Sequence, residues 1–444
     1  MPTLTAELAR LALTTPVPPT LLGRACDGVT DFLAAAFAGS ETPEAARARG
    51  LFLPLAGPGA APLIGRAERA DVLTSALLNA QAGHALDYDD MHPVMRGHPS
   101  TVILPALFAV AAQHDRNGAD LLAAYVIGVE VAARVGRAIG SRHYEAGFHA
   151  TSTVGPIAAA AAVARFLRLD GATTATALGI AATQGCGLRA EFGSETKPLH
   201  AGFAARAGVQ AVLIAQAGLS GAADVLQAPS GFFAAFGLGQ ADPSAVLTEW
   251  GTDWQIVTPG LTFKEFACCT GTHCAAQATL GLRAQHDIAA DDIRAITVTF
   301  PPAGDAALNV RHPVTGVDGR FSVEYVIASI LIEGYPGLTT FGDRPVPAAI
   351  DRLGRRVTRA FDPSAPRLSN DPATRFAVVD IEMTDGCQLQ ARANAVQGAG
   401  DLRHKFLDAA GAARAAVLAD IAALPQAASL VPFLSALAMP RALT

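Results

Sequence analysis

Lysine is almost missing from this chain. Of 33 basic residues only Lys197, Lys264 and Lys405 are lysines, and arginine serves nearly everywhere else. Lysine is a compact charge that can lose its proton when buried, which arginine does not do. A lysine kept against such a background is a candidate for a task arginine cannot perform; codon bias with chance survivors is the plainer alternative. Charge of either sign is also scarce, 16% of residues against a usual ~25%. The net charge is -6 and no run of Lys or Arg occurs, so the basic patch that nucleic acid requires is missing. Six cysteines in 444 residues make no disulfide framework, and no CxxC pair is present. A reduced, cytoplasmic protein is expected. The phosphate loop GxxxxGK[ST], the GxSxG elbow and the GxGxxG dinucleotide fingerprint are all absent.

The chain is rich instead in small apolar residues. A hydrophobic fraction of 51% excludes disorder as the main state, and abundant alanine favours closely packed helices. Uncharged stretches at 146–164, 171–188 and 207–223 are diluted by Thr, Ser, Gln or Gly, so they read as buried helices and loops, not membrane spans. Glu7 and Arg10 stand early in an amphipathic pattern, which argues against a signal peptide. Helical periodicity predicts helices over 29–38, 70–86, 102–113, 120–139, 153–167, 173–183, 201–217 and 222–226. The character changes after about residue 260. Alternation predicts a strand over 293–300, and a hairpin over 376–383 and 388–395 turns at Asp385-Gly386. Helices at 323–333 and 347–353 lie between, and the tail at 402–437 returns to helix. The expected fold is mainly α. A large helical domain is built from both chain ends (1–260 and 400–444), with a smaller α+β lid domain (261–399) inserted.

Four segments concentrate chemistry-bearing residues. Residues 84–100 hold three carboxylates and three histidines, among them Asp87 and His98, between two apolar helices where a loop can aim side chains into a cleft. Helix termination is the plainer reading, since Asp and His cap and turn readily. Residues 147–156 place His149 ahead of Thr151 to Thr153, which can cap the next helix; the dipole there favours an anion. Residues 193–202 carry Lys197 and His200, with Pro198 biasing Lys197 toward extended backbone before a helix. Residues 263–274 carry Lys264, Cys268, Cys269, His273 and Cys274. A zinc site from the last four is disfavoured, because adjacent cysteines rarely close a tetrahedron from one loop.

Together these segments resemble the MmgE/PrpD family. The matching pieces are HALDYDD with HPS, GFHATSTVGP, TKPLHAG and KEFACCTGTH, joined by Arg320-Phe-Ser-Val-Glu-Tyr325. The resemblance runs in order from about residue 4 to 440. It implies a helical domain with an α+β lid, a cleft between them, a homodimer, and chemistry on small polycarboxylates without iron–sulfur cluster, metal or organic cofactor. It implies Asp87, His98, His149, Lys197, Lys264 and Tyr325 as active-site residues, with Cys269 and His273 in the same loop; His149, Lys264, Tyr325 and Asp87 are expected to be catalytic, and His98, Lys197, Cys269, His273 and His200 to bind substrate. Dehydration of the 2-methylcitrate type is the leading expectation, then epimerisation of an imino dicarboxylate, then decarboxylation of the cis-aconitate type. Cys269 stands where decarboxylases of the family carry His, and Met91 where Thr is expected. A binding protein that lost activity is the alternative of another class, opposed by the retention of Lys197 and Lys264.

Overall fold

The computed structural model describes residues 2–369, 371–394 and 400–440. Its longer helices in the first part are α1 (Leu4–Thr14), α2 (Leu22–Gly39), α3 (Val72–His84), α4 (Ser100–Ala111), α5 (Gly118–Ile139), α6 (Gly155–Leu167), α7 (Gly171–Ala182) and α8 (Thr196–Gln216). Small side chains let them approach closely. α8 lies along α3 and also packs on α4, α6 and α7. A Cβ at Gly202 of α8 would sit 2.7 Å from the Leu77 carbonyl oxygen of α3, so only glycine permits this contact. That contact fixes the start of α8, where Lys197 sits.

After residue 260 the chain forms α9 (Thr270–Gln285), β1 (Ile293–Phe300), α10 (Val323–Glu333), α11 (Ala348–Gly354), β2 (Val357–Phe361), β3 (Phe376–Met383) and β4 (Gln388–Asn394). The sheet order is β2-β1-β3-β4. β1 pairs parallel with β2 and antiparallel with β3, and β3 pairs antiparallel with β4. The parallel pair needs a crossover, and α10 and α11 supply it. Ile296, Val298 and Phe300 are buried from one side of β1, and α9 covers β3 and β4. Finally α12 (Leu402–Ala410) returns to lie against α2. Among the described residues no helix is long and apolar enough to cross a membrane.

Several local expectations need correction. The segment 222–226 forms turns, and the nearby short helix is Phe232–Phe236. Strand β2 lacked a legible alternation. The hairpin strand ends at Asn394, and residue 395, like the 395–399 part of the expected lid, lies outside the described residues. α5 starts two residues before 120, capped by Asn117, whose side chain accepts from the Asp120 N–H. Thr151 to Thr153 do not cap α6. They form a separate turn, Ala150–Thr153, in which Thr151 Oγ1 accepts from the His98 N–H and Thr153 Oγ1 bonds His143 Nε2. Lys197 is helical, not extended, because Pro198 falls in the first turn of α8, where its missing N–H costs nothing.

Candidate active site

The site begins with a kink after α3. Asp87 has a left-handed φ of 51°, a conformation that aspartate tolerates better than most residues. Its carboxylate and its own carbonyl both meet Lys264. Lys264 Nζ donates to Asp87 Oδ1 at 2.7 Å and to Asp87 O at 2.8 Å, while Lys197 Nζ donates to the same Oδ1 at 2.6 Å. Helix α8 delivers Lys197, and the loop before α9 delivers Lys264. Both lysines are buried, at 3% and 1% exposure, so the two rare side chains meet one carboxylate away from solvent.

The electrostatics follow from that geometry. Burial opposes the Asp87 charge, but Lys197 and Lys264 outweigh it and hold the carboxyl well below its usual range. The two lysines differ. Burial opposes the Lys264 charge, yet Asp87, Asp89 and Cys269 overcome it and raise its pKa. Burial lowers the pKa of Lys197, and Asp87 only partly offsets it. Among the described residues Lys264 spends two of its N–H bonds on Asp87 and Lys197 spends one.

Imidazoles form the next layer. His98 Nε2 is 3.8 Å from Asp87 Oδ1, and its Nδ1 bonds Asp90 O at 2.7 Å. His84 Nδ1 bonds Asp89 at 2.9 Å, and its ring stacks 5.8 Å from that of His149. His149 Nδ1 is 3.1 Å from His200 Nδ1, so one of the two must donate. His149 Nε2 has no partner among the described residues. Burial, with Lys197 nearby, holds His149 well below its usual pKa, so the ring is neutral.

A cavity of about 110 Å³ joins these groups. Asp87, His98, His149, Lys197, Lys264 and Cys269 all line it. Three expected residues do not. His200 stands behind His149 as its hydrogen-bond partner. His273 lies beneath the loop, its Nε2 on Cys268 O at 3.3 Å and its ring against Phe266. Tyr325 belongs elsewhere: its hydroxyl donates to the Thr340 carbonyl and its ring packs near Phe341. The tyrosine of the cavity is Tyr144, accompanied by Arg96 and Arg375. None of these three was legible, because arginine is common in this chain and Tyr144 stands in no motif.

His84, Asp87, Asp89 and His98 bring ligand atoms within 4.8 Å of one another. They do not fit a metal ion. His84 Nδ1 is engaged by Asp89, His98 Nδ1 by a carbonyl, and Asp87 Oδ1 by two ammonium groups that a divalent cation would have to displace.

The buried imidazoles set an acid sensitivity. Burial depresses His84 and His273 to about 3 and His92 and His143 to about 4. Below pH ~6.5 the unfolded chain takes up protons that the native one refuses, so stability falls as pH falls toward 4. Asp31, raised by burial to about 6, and Asp90, raised by burial and by Asp31, pull the opposite way. His149 and His200 are lowered as well, and Glu130 and Asp27 raised, so six imidazoles stand against four carboxyls and leave a net loss on the order of 1–3 kcal/mol per pH unit. Denaturant midpoints between pH 7 and 4.5 should fall accordingly; a flat profile would refute neutral buried histidines.

With this geometry in hand, comparison with known proteins is specific. Residues 5–244 match the MmgE/PrpD N-terminal domain and residues 266–414 the MmgE/PrpD C-terminal domain. A cis-aconitate decarboxylase of Aspergillus terreus is 29% identical over 404 residues, covering 84% of this chain and 80% of that protein. The cis-aconitate decarboxylase of Homo sapiens is 32% identical over 339 residues, covering 73% and 68%. A cis-aconitate decarboxylase-like protein of Aspergillus oryzae is 32% identical over 351 residues, covering 73% and 72%. Two consecutive domain matches spanning most of the sequence, and relatives aligned over most of their own length, place this chain in the MmgE/PrpD family.

Proposed function

We propose that the chain is a lyase of small tricarboxylates, acting by stabilising the carbanion formed beside a carboxylate when CO₂ or an α-proton departs. One observation carries this reading: Lys197 and Lys264 converge with His98 and His149 on one cavity around a single carboxylate. In decarboxylation the bond to the leaving carboxylate breaks, its electron pair stays on carbon, and a proton is delivered there. In dehydration a base takes the α-proton while an acid protonates the departing hydroxyl. Either way charge builds next to a carboxylate, and fixed cations lower the barrier most when they are already in place.

Roles follow from the pairing. Lys264, doubly tied to Asp87 with its pKa raised, is the fixed cation. Lys197, singly tied with its pKa lowered, is the proton donor. Lys197, expected as a substrate-binding residue, thereby takes a catalytic role. His149, neutral and with Nε2 unengaged, is the second member of the acid/base pair. His149→Gln should lower kcat by about 10²–10⁴-fold without changing the melting temperature by more than a few degrees. Near wild-type turnover would remove His149 from the mechanism.

The substrate is tested by proton NMR in D₂O with cis-aconitate, 2-methylcitrate and iminodisuccinate. cis-Aconitate comes first because curated relatives carry its name; the Cys269 and Met91 departures keep dehydration as the alternative arm. Loss of CO₂ or water supports a lyase. α-Deuteration without net product would instead mean epimerisation, the second reading, to which Cys269 and His149 lend two titratable groups on one cavity. Burial pushes the Cys269 thiol up, which makes it a poor base and ranks that reading second. No reaction or exchange with any polycarboxylate would sink the enzyme assignment. Homodimerisation, carried by family resemblance, belongs to the same proposal and is checked by light scattering.

A further inference from the structure

The cavity has cations beyond the lysines, and among the described residues these form no ion pair. Arg96 and Arg375 line it together with Tyr144. The Arg96 guanidinium lies 4.1 Å from the centre of the Tyr144 ring, and Arg189 lies 4.0 Å from the same ring. Arg189 is engaged, donating to the carbonyls of Tyr144 and Ala306. Arg96 is not: its Nη1 is buried without a hydrogen-bond partner among the described residues. Its backbone is also left-handed, at φ 54°, for a residue that gains nothing from that conformation. Unfavourable backbone held in place at a cavity wall is an outlier that points to function.

The nearby acids do not neutralise this end. Glu145 reaches Arg367 at 3.9 Å, and Asp371, also at the cavity, turns its Oδ1 to the Ala373 N–H at 2.9 Å. Arg96 is repelled by Arg375 and Arg189, while Tyr144 and, less strongly, Glu145 attract it. Two guanidinium forks that form no ion pair among the described residues are matched by a ligand that brings a carboxylate, since the fork binds one bidentately.

Resting on the lyase reading, we infer that Arg96 and Arg375, flanking the Tyr144 hydroxyl, form a second carboxylate-binding pole that holds a spectator carboxylate while the reacting one lies at Lys197 and Lys264. The site therefore takes substrates with two or more carboxylates and disfavours monocarboxylates, because a ligand lacking the second anion forgoes the charge-assisted bonds to these half-buried guanidinium groups.

The test uses binding, so it does not depend on turnover. Wild-type protein, Arg96→Gln and Arg375→Gln are titrated calorimetrically with tricarballylate, glutarate and butyrate at low salt. We expect wild type to bind tricarballylate tightest and butyrate weakest. Each variant should weaken tricarballylate by about tenfold, the discrimination of one good charged contact, and leave butyrate within twofold. Two variants from separate segments guard against a folding defect in one, and melting curves identify it. Unchanged tricarballylate affinity in both folded variants, or equal loss for all three ligands, overturns the second pole. If tricarballylate binds through the arginines while the NMR panel finds no reaction, the lyase reading fails and the pole stands. If turnover occurs and neither arginine affects the KM or Kd of a tricarboxylate, the pole fails and the lyase reading stands.

Discussion

Asp87→Asn should cost this protein most of its activity, about 10³-fold in kcat/KM, and should also move its pH profile. The substitution keeps shape and removes charge. Two ammonium groups, at 2.6 and 2.7 Å from the same oxygen, would then face each other with only the weaker support of Asp89 and, for Lys264, Cys269. Breaking a buried ion pair from one side typically costs about 3–5 kcal/mol. Part of that is relieved if Lys197, already depressed by burial, releases its proton. The result is a cavity that keeps the Lys264 cation but has its proton donor already spent. Loss of one preorganised charge contact alone is worth ~10²–10³ in rate, and here two are disturbed. The alkaline limb of kcat/KM should shift to lower pH, because Asp87 is what holds both lysines protonated. A melting curve separates this from simple unfolding. Wild-type kcat/KM with an unmoved alkaline limb would refute the triad.

The second large effect concerns the third lysine. Lys405→Met should destabilise the fold by about 3–5 kcal/mol. Lys405 sits on α12 and is 3% exposed. Its ammonium donates to Asp31 Oδ1 at 2.6 Å, to Tyr88 O at 2.8 Å and to Lys264 O at 2.8 Å. Every N–H is used, by three separate segments. Tyr88 follows Asp87 in sequence, so this one side chain buttresses both backbones of the triad without lining the cavity. Removing it orphans two carbonyls and leaves the Asp31 carboxylate buried alone. Because replacing both members of a buried pair with apolar groups is often neutral, Asp31→Leu combined with Lys405→Met should recover most of the loss. A denaturant-unfolding cycle measures the coupling, expected to exceed about 1 kcal/mol. A single variant as stable as wild type would show that the contacts contribute nothing.

The rarity of lysine was therefore informative in a way its motifs alone were not. It pointed at Lys197 and Lys264, whose segments also carried family resemblance, but gave no ground for choosing Lys405, which stands in an ordinary amphipathic helix. All three are buried in ion pairs. Helix and strand identity was readable where one face is buried, as in β1 and α10, whose expected limits match the observed ones. It failed at β2 and at 222–226, where neighbours rather than local pattern decide. The site was readable where residues are scarce and clustered. It was opaque for Arg96, Tyr144 and Arg375, whose types are common or unaccompanied and which come from three distant segments to line one cavity. Tyr325 was misplaced for the converse reason: it stands in a family-like motif, yet its hydroxyl turns to Thr340.

The position of Lys405 has a consequence for how the molecule is made. A ribosome completes α2, the Asp87 turn and the Lys264 loop long before it reaches α12. Earlier segments begin folding first during synthesis, so the nascent helices must wait with Asp31 uncompensated and the two carbonyls open until almost the entire chain has emerged. Cuts that remove α12 therefore undermine the support behind the pocket, however far they lie from it in sequence.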